Sequence, residues 1–222
     1  MALEDYREIV ATSAFLTTLA QMFAGVFVCK DIYKKGSAKG FPAMPFIGGF
    51  GMGIMTLKYG YILGDTPTIS VNICGILLNV GYFLFYYAYS PDKTGTLALA
   101  GKVIAVLVAI LGYAEMEHPD KIAYRFGIIL TTVLFLLLSA PLLNIGTIIK
   151  SKSTEGMPFP LIFSGTLVTS QWLLYGFIID NGFLIFQNAV AFTLLSAQLS
   201  LFVIYPSKST KESESVPEKK KN

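Results

Sequence analysis

QWLLYGFIIDNGFLIFQN, residues 171–188, decides how the rest of the chain is read. It holds the only tryptophan, Trp172, and sixteen residues later an asparagine, Asn188, inside an apolar run. Lipid offers an amide no hydrogen-bond partner, and stranding one in an apolar medium costs roughly 2–7 kcal/mol, so Asn188 should face protein, water or a ligand. A shift of 116 residues without a gap brings MTLKYGYILGDTPTISVN, residues 55–72, into register with this stretch. Tyr59 then falls on Tyr175, Gly60 on Gly176 and Asn72 on Asn188, while Trp172 falls on Thr56. The same shift superimposes Ile32 on Ile148, Lys34 on Lys150, Ser37 on Ser153, Gly40 on Gly156, Pro42 on Pro158, Gly49 on Gly165 and Tyr89 on Tyr205. Most of these are residues that a leucine-rich composition does not align by chance, so the chain reads as a duplicated unit.

The unit is a membrane one. Of 222 residues, 54% are apolar and 14% charged, with a mean hydropathy of +0.61, which is too greasy for an ordinary soluble domain. A crossing helix needs about 20 mainly apolar residues. Seven stretches qualify: 9–29, 43–64, 68–89, 96–114, 122–149, 157–179 and 183–205. Three crossings per unit would set two directly joined units in opposite orientations, and the stretch 96–114, which matches neither unit, restores a parallel arrangement. The expected fold is therefore an all-α integral membrane protein of seven transmembrane helices, two parallel three-helix bundles joined by a linker helix (3+1+3). Residues 1–92 form the first repeat, 93–117 the linker, 118–206 the second repeat, and 207–222 a disordered cytoplasmic tail too rich in Ser, Glu and Lys to bury a core. The acidic opening MALEDYRE is the reverse of a secretory leader, so the first helix reads as retained.

Cytoplasmic loops hold an excess of Lys and Arg. With the amino terminus outside, the inward loops and tail receive 13 of the 17 basic residues, whereas the outer loops carry Asp65, Glu115, Glu117, Asp120 and Asp180. The predicted orientation is N-out, C-in. Lys58 and Arg125 can reach the outer surface and Lys102 the inner one.

Two cysteines in apolar runs and one histidine in a polar stretch offer neither a disulfide framework nor a metal cluster, and no metal, cofactor or nucleic-acid partner is expected. No Asp or Glu lies deep in a predicted helix, which argues against a proton relay or cation-coupled pump and favours passive movement of an uncharged solute. Parallel repeats place a substrate site near the bilayer midplane, at the repeat interface. There the matched Asn72 and Asn188 could bond hydroxyls, the face of Trp172 could take the C–H face of a sugar ring, and Thr56 stands opposite it. The competing reading gives each asparagine to a neighbouring helix, an interaction that contributes about 0.6 kcal/mol. Of the prolines, Pro42 and Pro160 read as helix starts, and Pro141, inside a crossing, as a hinge.

On KKGSAKGFPAMPF, on SAPLLNIGTIIKSKSTEGMPFP and on the spacing from QWLLYG to Asn188, the chain resembles the SWEET (MtN3/saliva) sugar transporters over about residues 8–206, and within them the animal branch. The resemblance implies a facilitator of mono- or disaccharides that works by alternating access, with Asn72, Asn188 and Trp172 lining the site. It places an inner proline gate at Pro45, Pro141 and Pro158, with Gly25 where the family has a fourth proline. It also places an outer gate at Tyr59 with Asp180 or Asn181. Homo-oligomers and a plasma-membrane or Golgi location are implied as well, and the ending Lys219-Lys220-Lys221-Asn222 is similar to a dilysine signal for return to the endoplasmic reticulum. The nearest rival, an amino-acid or small-solute transporter of the PQ-loop class, would carry Pro-Gln pairs, and no such dipeptide occurs. A receptor would not show the duplication, and an enzyme is not expected.

Overall fold

The computed structural model describes residues 3–151, 154 and 159–205, with side chains for these outside 139–151. Regular structure among them is helical throughout. A short 3-10 turn at Leu3–Tyr6 leads into α1 (Arg7–Met22) and α2 (Ala24–Lys35), followed by α3 (Met44–Leu63), α4 (Thr66–Tyr89) and α5 (Lys93–Met116). Then come α6 (Pro119–Ser151), α7 (Phe159–Ile178) and α8 (Gly182–Ile204). Six of the crossings are long and apolar enough to span a bilayer by length and composition. The helix α3 is not among them: Gly48, Gly49, Gly51, Gly53 and Lys58 dilute its hydropathy, although its 20 residues suffice in length.

The helices α1 and α2 form one crossing, Glu4–Lys35, interrupted at Phe23. The interruption is held from outside. Tyr82 on α4 donates its hydroxyl to the Met22 carbonyl at 3.1 Å, and its ring occupies the space that a Cβ on Gly25 would need. A side chain at position 25 would have to displace that ring, which explains why glycine stands here.

Packing follows the repeat. The helix α4 lies against α3 and the α1/α2 crossing, as α8 lies against α7 and α6, and α5 packs on α3. Between units, α1 meets α7 and α6 meets α3. Bilayer helices gain little from hydrophobicity against one another, so close backbone approach and directed bonds hold them. Matched glycines provide the approach: a Cβ on Gly60 would lie 3.3 Å from the backbone nitrogen of Ile69, and one on Gly176 3.1 Å from that of Ile185.

The two hairpin turns, α3–α4 and α7–α8, lie at one end of the molecule and are built alike. Gly64 and its counterpart Asp180 both take the left-handed conformation, with φ of 67° and 51°. Aspartate is one of the few side chains that tolerate it. The next residue caps the following helix: Asp65 Oδ2 accepts from the Thr68 amide at 3.1 Å and Asn181 Oδ1 from that of Leu184 at 2.9 Å.

Three apolar clusters form the interior. One joins Ala11 and Ala14 of α1 to Val71 of α4 and to Val168, Trp172 and Tyr175 of α7. A second joins Met55 and Tyr59 of α3 to Leu107 and Ala114 of α5 and to Phe126 and Leu130 of α6. The third, around Ile32, Ala38, Phe46, Ile47 and Tyr86, lies toward the opposite end and draws its buried residues from the first unit alone.

Lys58 and Arg125 do more than reach outward. Lys58 Nζ meets Glu115 and Arg125 meets Glu117, each at 2.5 Å. Glu117, in the loop after α5, also accepts from the Tyr113 hydroxyl and the His118 amide. The Tyr113 hydroxyl first, and then the Arg125 guanidinium, hold the Glu117 carboxyl down at about 2.

Pro45 sits in the first turn of α3, where a helix asks no hydrogen bond of the residue's nitrogen. Pro141 lies within the helical run of α6, its side chain outside those described. Pro158 and the tail 207–222, with its lysines, lie outside the described residues.

Candidate functional site

Asn72 and Asn188 sit at matched places, about 9 Å along α4 and α8 from the hairpin end at 1.5 Å per residue. Each is half-buried, and each donates Nδ2 to the carbonyl four residues back in its own helix: Thr68 at 2.8 Å and Leu184 at 2.9 Å. Neither makes another hydrogen bond among the described residues, so the reading that gives them to neighbouring helices finds no bond there. The own-helix bond fixes the amide plane and leaves the oxygen, together with the second N–H, to a solute or water. The adjacent Gln187 differs, since its amide is tied to Thr131 Oγ1 across to α6 at 2.6 Å.

Trp172 is 8% exposed. Its Nε1 donates to Thr18 Oγ1 on α1 at 2.8 Å, and its ring meets Tyr175 edge-on at 5.6 Å between centroids. In this conformation the indole is part of the packing between units, in the same apolar cluster as Val71, the residue before Asn72. Thr56, at the matched place on α3, is half-buried and makes no hydrogen bond among the described residues.

The α1–α7 contact is hydrogen-bonded along its length. Gln171 Nε2 donates to Ser13 Oγ at 2.9 Å, Thr17 donates to Gln171 Oε1, and Trp172 donates to Thr18. At the hairpin end the series finishes in a charged cluster. The Tyr175 hydroxyl donates to Asp65 Oδ1 at 2.5 Å, and the Arg7 guanidinium stands 3.8 Å from the same oxygen. Asp65, in the α3–α4 turn, is only 4% exposed. A buried carboxylate is retained only when paired and bonded, and here it has a phenol, a helix amide and a cation.

The α6–α3 contact is the mirror of this one with the chemistry removed. Its counterparts of Ser13, Thr17, Thr18 and Gln171 are Ile129, Val133, Leu134 and Met55. Tyr59, the counterpart of Tyr175, packs on Phe126 and Phe183, with the Asn181 side chain beside its hydroxyl. Of the two residues read from the sequence as partners of Tyr59, the structure thus brings Asn181 to it. Asp180 instead lines an open cleft of about 360 Å³ at the hairpin end, shared with Glu4, Arg7, Asp65 and Asn181. The Tyr175–Asp65–Arg7 cluster was missed in the sequence, yet the 116-residue shift that pairs Tyr59 with Tyr175 also pairs Asp65 with Asn181 and would have pointed to it.

The fold and this interface define a class: a polytopic helical membrane protein made of two tandem three-helix units. The sequence model of the family described as "Sugar efflux transporter for intercellular exchange" matches the chain twice, at residues 8–94 and 124–210, and the chain belongs to that family, MtN3/saliva or SWEET, whose members are transporters rather than enzymes. Sugar transporter SWEET1 of Drosophila pseudoobscura pseudoobscura is 33% identical over 91% of both chains. Sugar transporter SWEET1 of Caenorhabditis elegans is 30% identical over 95% of this chain and 70% of its own. A solved structure of a eukaryotic SWEET transporter superimposes with a TM-score of 0.84 at 22% identity, covering 92% of this chain and 99% of that one, a likeness of fold.

Proposed function

We propose that this chain is a passive, bidirectional sugar uniporter for glucose or a similar monosaccharide, which binds it between Asn72 and Asn188 and works by alternating access. The observation that carries the reading is the matched asparagine pair. Each amide is oriented by its own helix and spends one donor doing so, which leaves an acceptor and a donor on each wall for the hydroxyls of an uncharged ring. Such bonds contribute about 0.5–1.5 kcal/mol each, enough to select a sugar and weak enough to release it.

Orientation follows the basic loops, so the hairpin end is taken as the outer face. There the Tyr175–Asp65–Arg7 cluster and the Tyr59–Asn181 approach close the path, and both must part to admit solute from outside. At the inner end the Phe23 interruption, with Gly25 and Pro141, supplies places where the first crossing of each unit bends. Trp172, held against α1 by Thr18, becomes a sugar-stacking face when Thr18 lets go. The chain operates in the plasma membrane or Golgi as a homo-oligomer, and Lys219 and Lys220 would return it to the endoplasmic reticulum.

Purified protein in vesicles tests this. Radiolabelled glucose should equilibrate across the membrane without accumulating, whatever pH or sodium gradient is imposed. Concentrative uptake under either gradient would overturn the passive mechanism, and transport of amino acids in place of sugars would overturn the substrate class.

A further inference from the structure

A third asparagine inside the membrane, Asn79 on α4, has no place in the site described so far. It lies seven residues after Asn72, hence on the same helix face and about 10 Å deeper. The lipid-facing side of α4 is marked by Ile73, Leu77, Val80 and Leu84, all exposed, and Asn79 is half-buried on the side away from them. Its bonding repeats that of the asparagine pair: Nδ2 donates to the Gly75 carbonyl four residues back at 2.8 Å, and it makes no other hydrogen bond among the described residues. It therefore binds no neighbouring helix. Its amide oxygen lies over Gly49 of α3, only 2.6 Å from where a Cβ would stand. In the second unit the same glycine recurs as Gly165, where Leu195 Cδ1 of α8 and Gln21 Nε2 of α1 each stand 3.2 Å from the corresponding point. At the matched place α8 thus carries the aliphatic Leu195, with the Gln21 amide of α1 beside it, whereas α4 carries an amide of its own whose oxygen is oriented and unbonded.

We infer that Asn79 forms an inner sugar subsite, contacting one hydroxyl of the solute as it passes between the Asn72–Asn188 pair and the opposite end. The inference rests on the sugar reading of that pair. Its polar contact comes from the first unit and has the aliphatic Leu195 as its counterpart in the second, so it engages one edge of the ring and contributes to choice among sugars.

Vesicle uptake of glucose and of its singly deoxygenated analogues separates the possibilities. Asn79→Leu copies the second unit, so it fits the scaffold, and Asn79→Ala is read alongside it by the same criteria. Wild-type protein is expected to disfavour at least one deoxy analogue, and both variants to transport glucose with kcat/KM lowered about tenfold while ceasing to distinguish that analogue. Asn79→Gln is expected to restore part of the discrimination. Unchanged kinetics, or a fall in rate equal for all the sugars, would show a packing role only and overturn the subsite. If wild-type protein moved no sugar at all, the sugar reading itself would fall, an outcome distinct from failure of the subsite alone.

Discussion

The α1–α7 and α6–α3 seams occupy matched positions and differ in chemistry. Ser13, Thr17, Thr18, Gln171 and Trp172 bond across the first. Met55, Tyr59, Phe126 and Leu130 pack across the second. Directed bonds hold the first seam in one register, whereas aliphatic contacts permit sliding. Wetting also affects them differently. Polar groups parted into a water-filled path exchange their bonds for water at a net cost of about 0.5–1.5 kcal/mol each, while apolar surface costs about 25 cal/mol per Å² exposed. The α1–α7 seam is therefore the one expected to open and rehydrate, and the α6–α3 seam, apart from Tyr59 at its hairpin end, the one expected to stay dry and serve as the pivot.

The strongest contrast lies at the two tyrosines. Tyr175→Phe removes a donor from a carboxylate that is 4% exposed, leaving it the Thr68 amide and Arg7. A loss of about 1–3 kcal/mol is expected. Tyr59→Phe leaves only an amide beside the ring and should cost less. Melting of the two variants in detergent reads this directly, and equal shifts would remove the distinction between the seams. A comparable effect is expected from Gln171→Met, which copies Met55 and loses the bonds to Ser13 and Thr17, at about 1 kcal/mol each. A double-mutant cycle with Ser13→Ala should show coupling. Met55→Leu should be near neutral, and coupling absent from the first seam would break the comparison.

The smallest effect is one of pH. The Glu117 carboxyl is depressed in the folded protein, so its contribution is fully present above its ordinary range near 4.5 and lost as pH falls toward about 2. Glu117→Gln should then leave the melting profile between pH 5 and 8 parallel to wild type and flatten its decline below pH 4.5. A divergence near neutrality would mean that the Tyr113–Arg125 cluster does not hold the charge.

The duplication made most of the architecture legible, because one ungapped shift aligned Gly60 with Gly176, where helix backbones approach, and Asn72 with Asn188, where the sugar site is proposed. What stayed hidden was tertiary in origin. The interruption at Phe23 depends on Tyr82, sixty residues away in the chain, and no local signal announces it. Asp65 was legible as a loop acid but not as a buried one, because hydropathy along the chain cannot register a tyrosine 110 residues further on that bonds it. Trp172 was legible as unusual, but its hydrogen bond to Thr18, and with it the covered state of the indole, came only from packing. Asn79 has Leu195 as its counterpart, so the 116-residue shift does not single it out.

The matched asparagines bear the central claim most directly. Equilibrium exchange of labelled glucose by Asn72→Ala and Asn188→Ala, each reconstituted at wild-type density, should be abolished in both, since either wall alone leaves the ring half-bonded. Wild-type exchange from either variant would contradict a site shared between the two units.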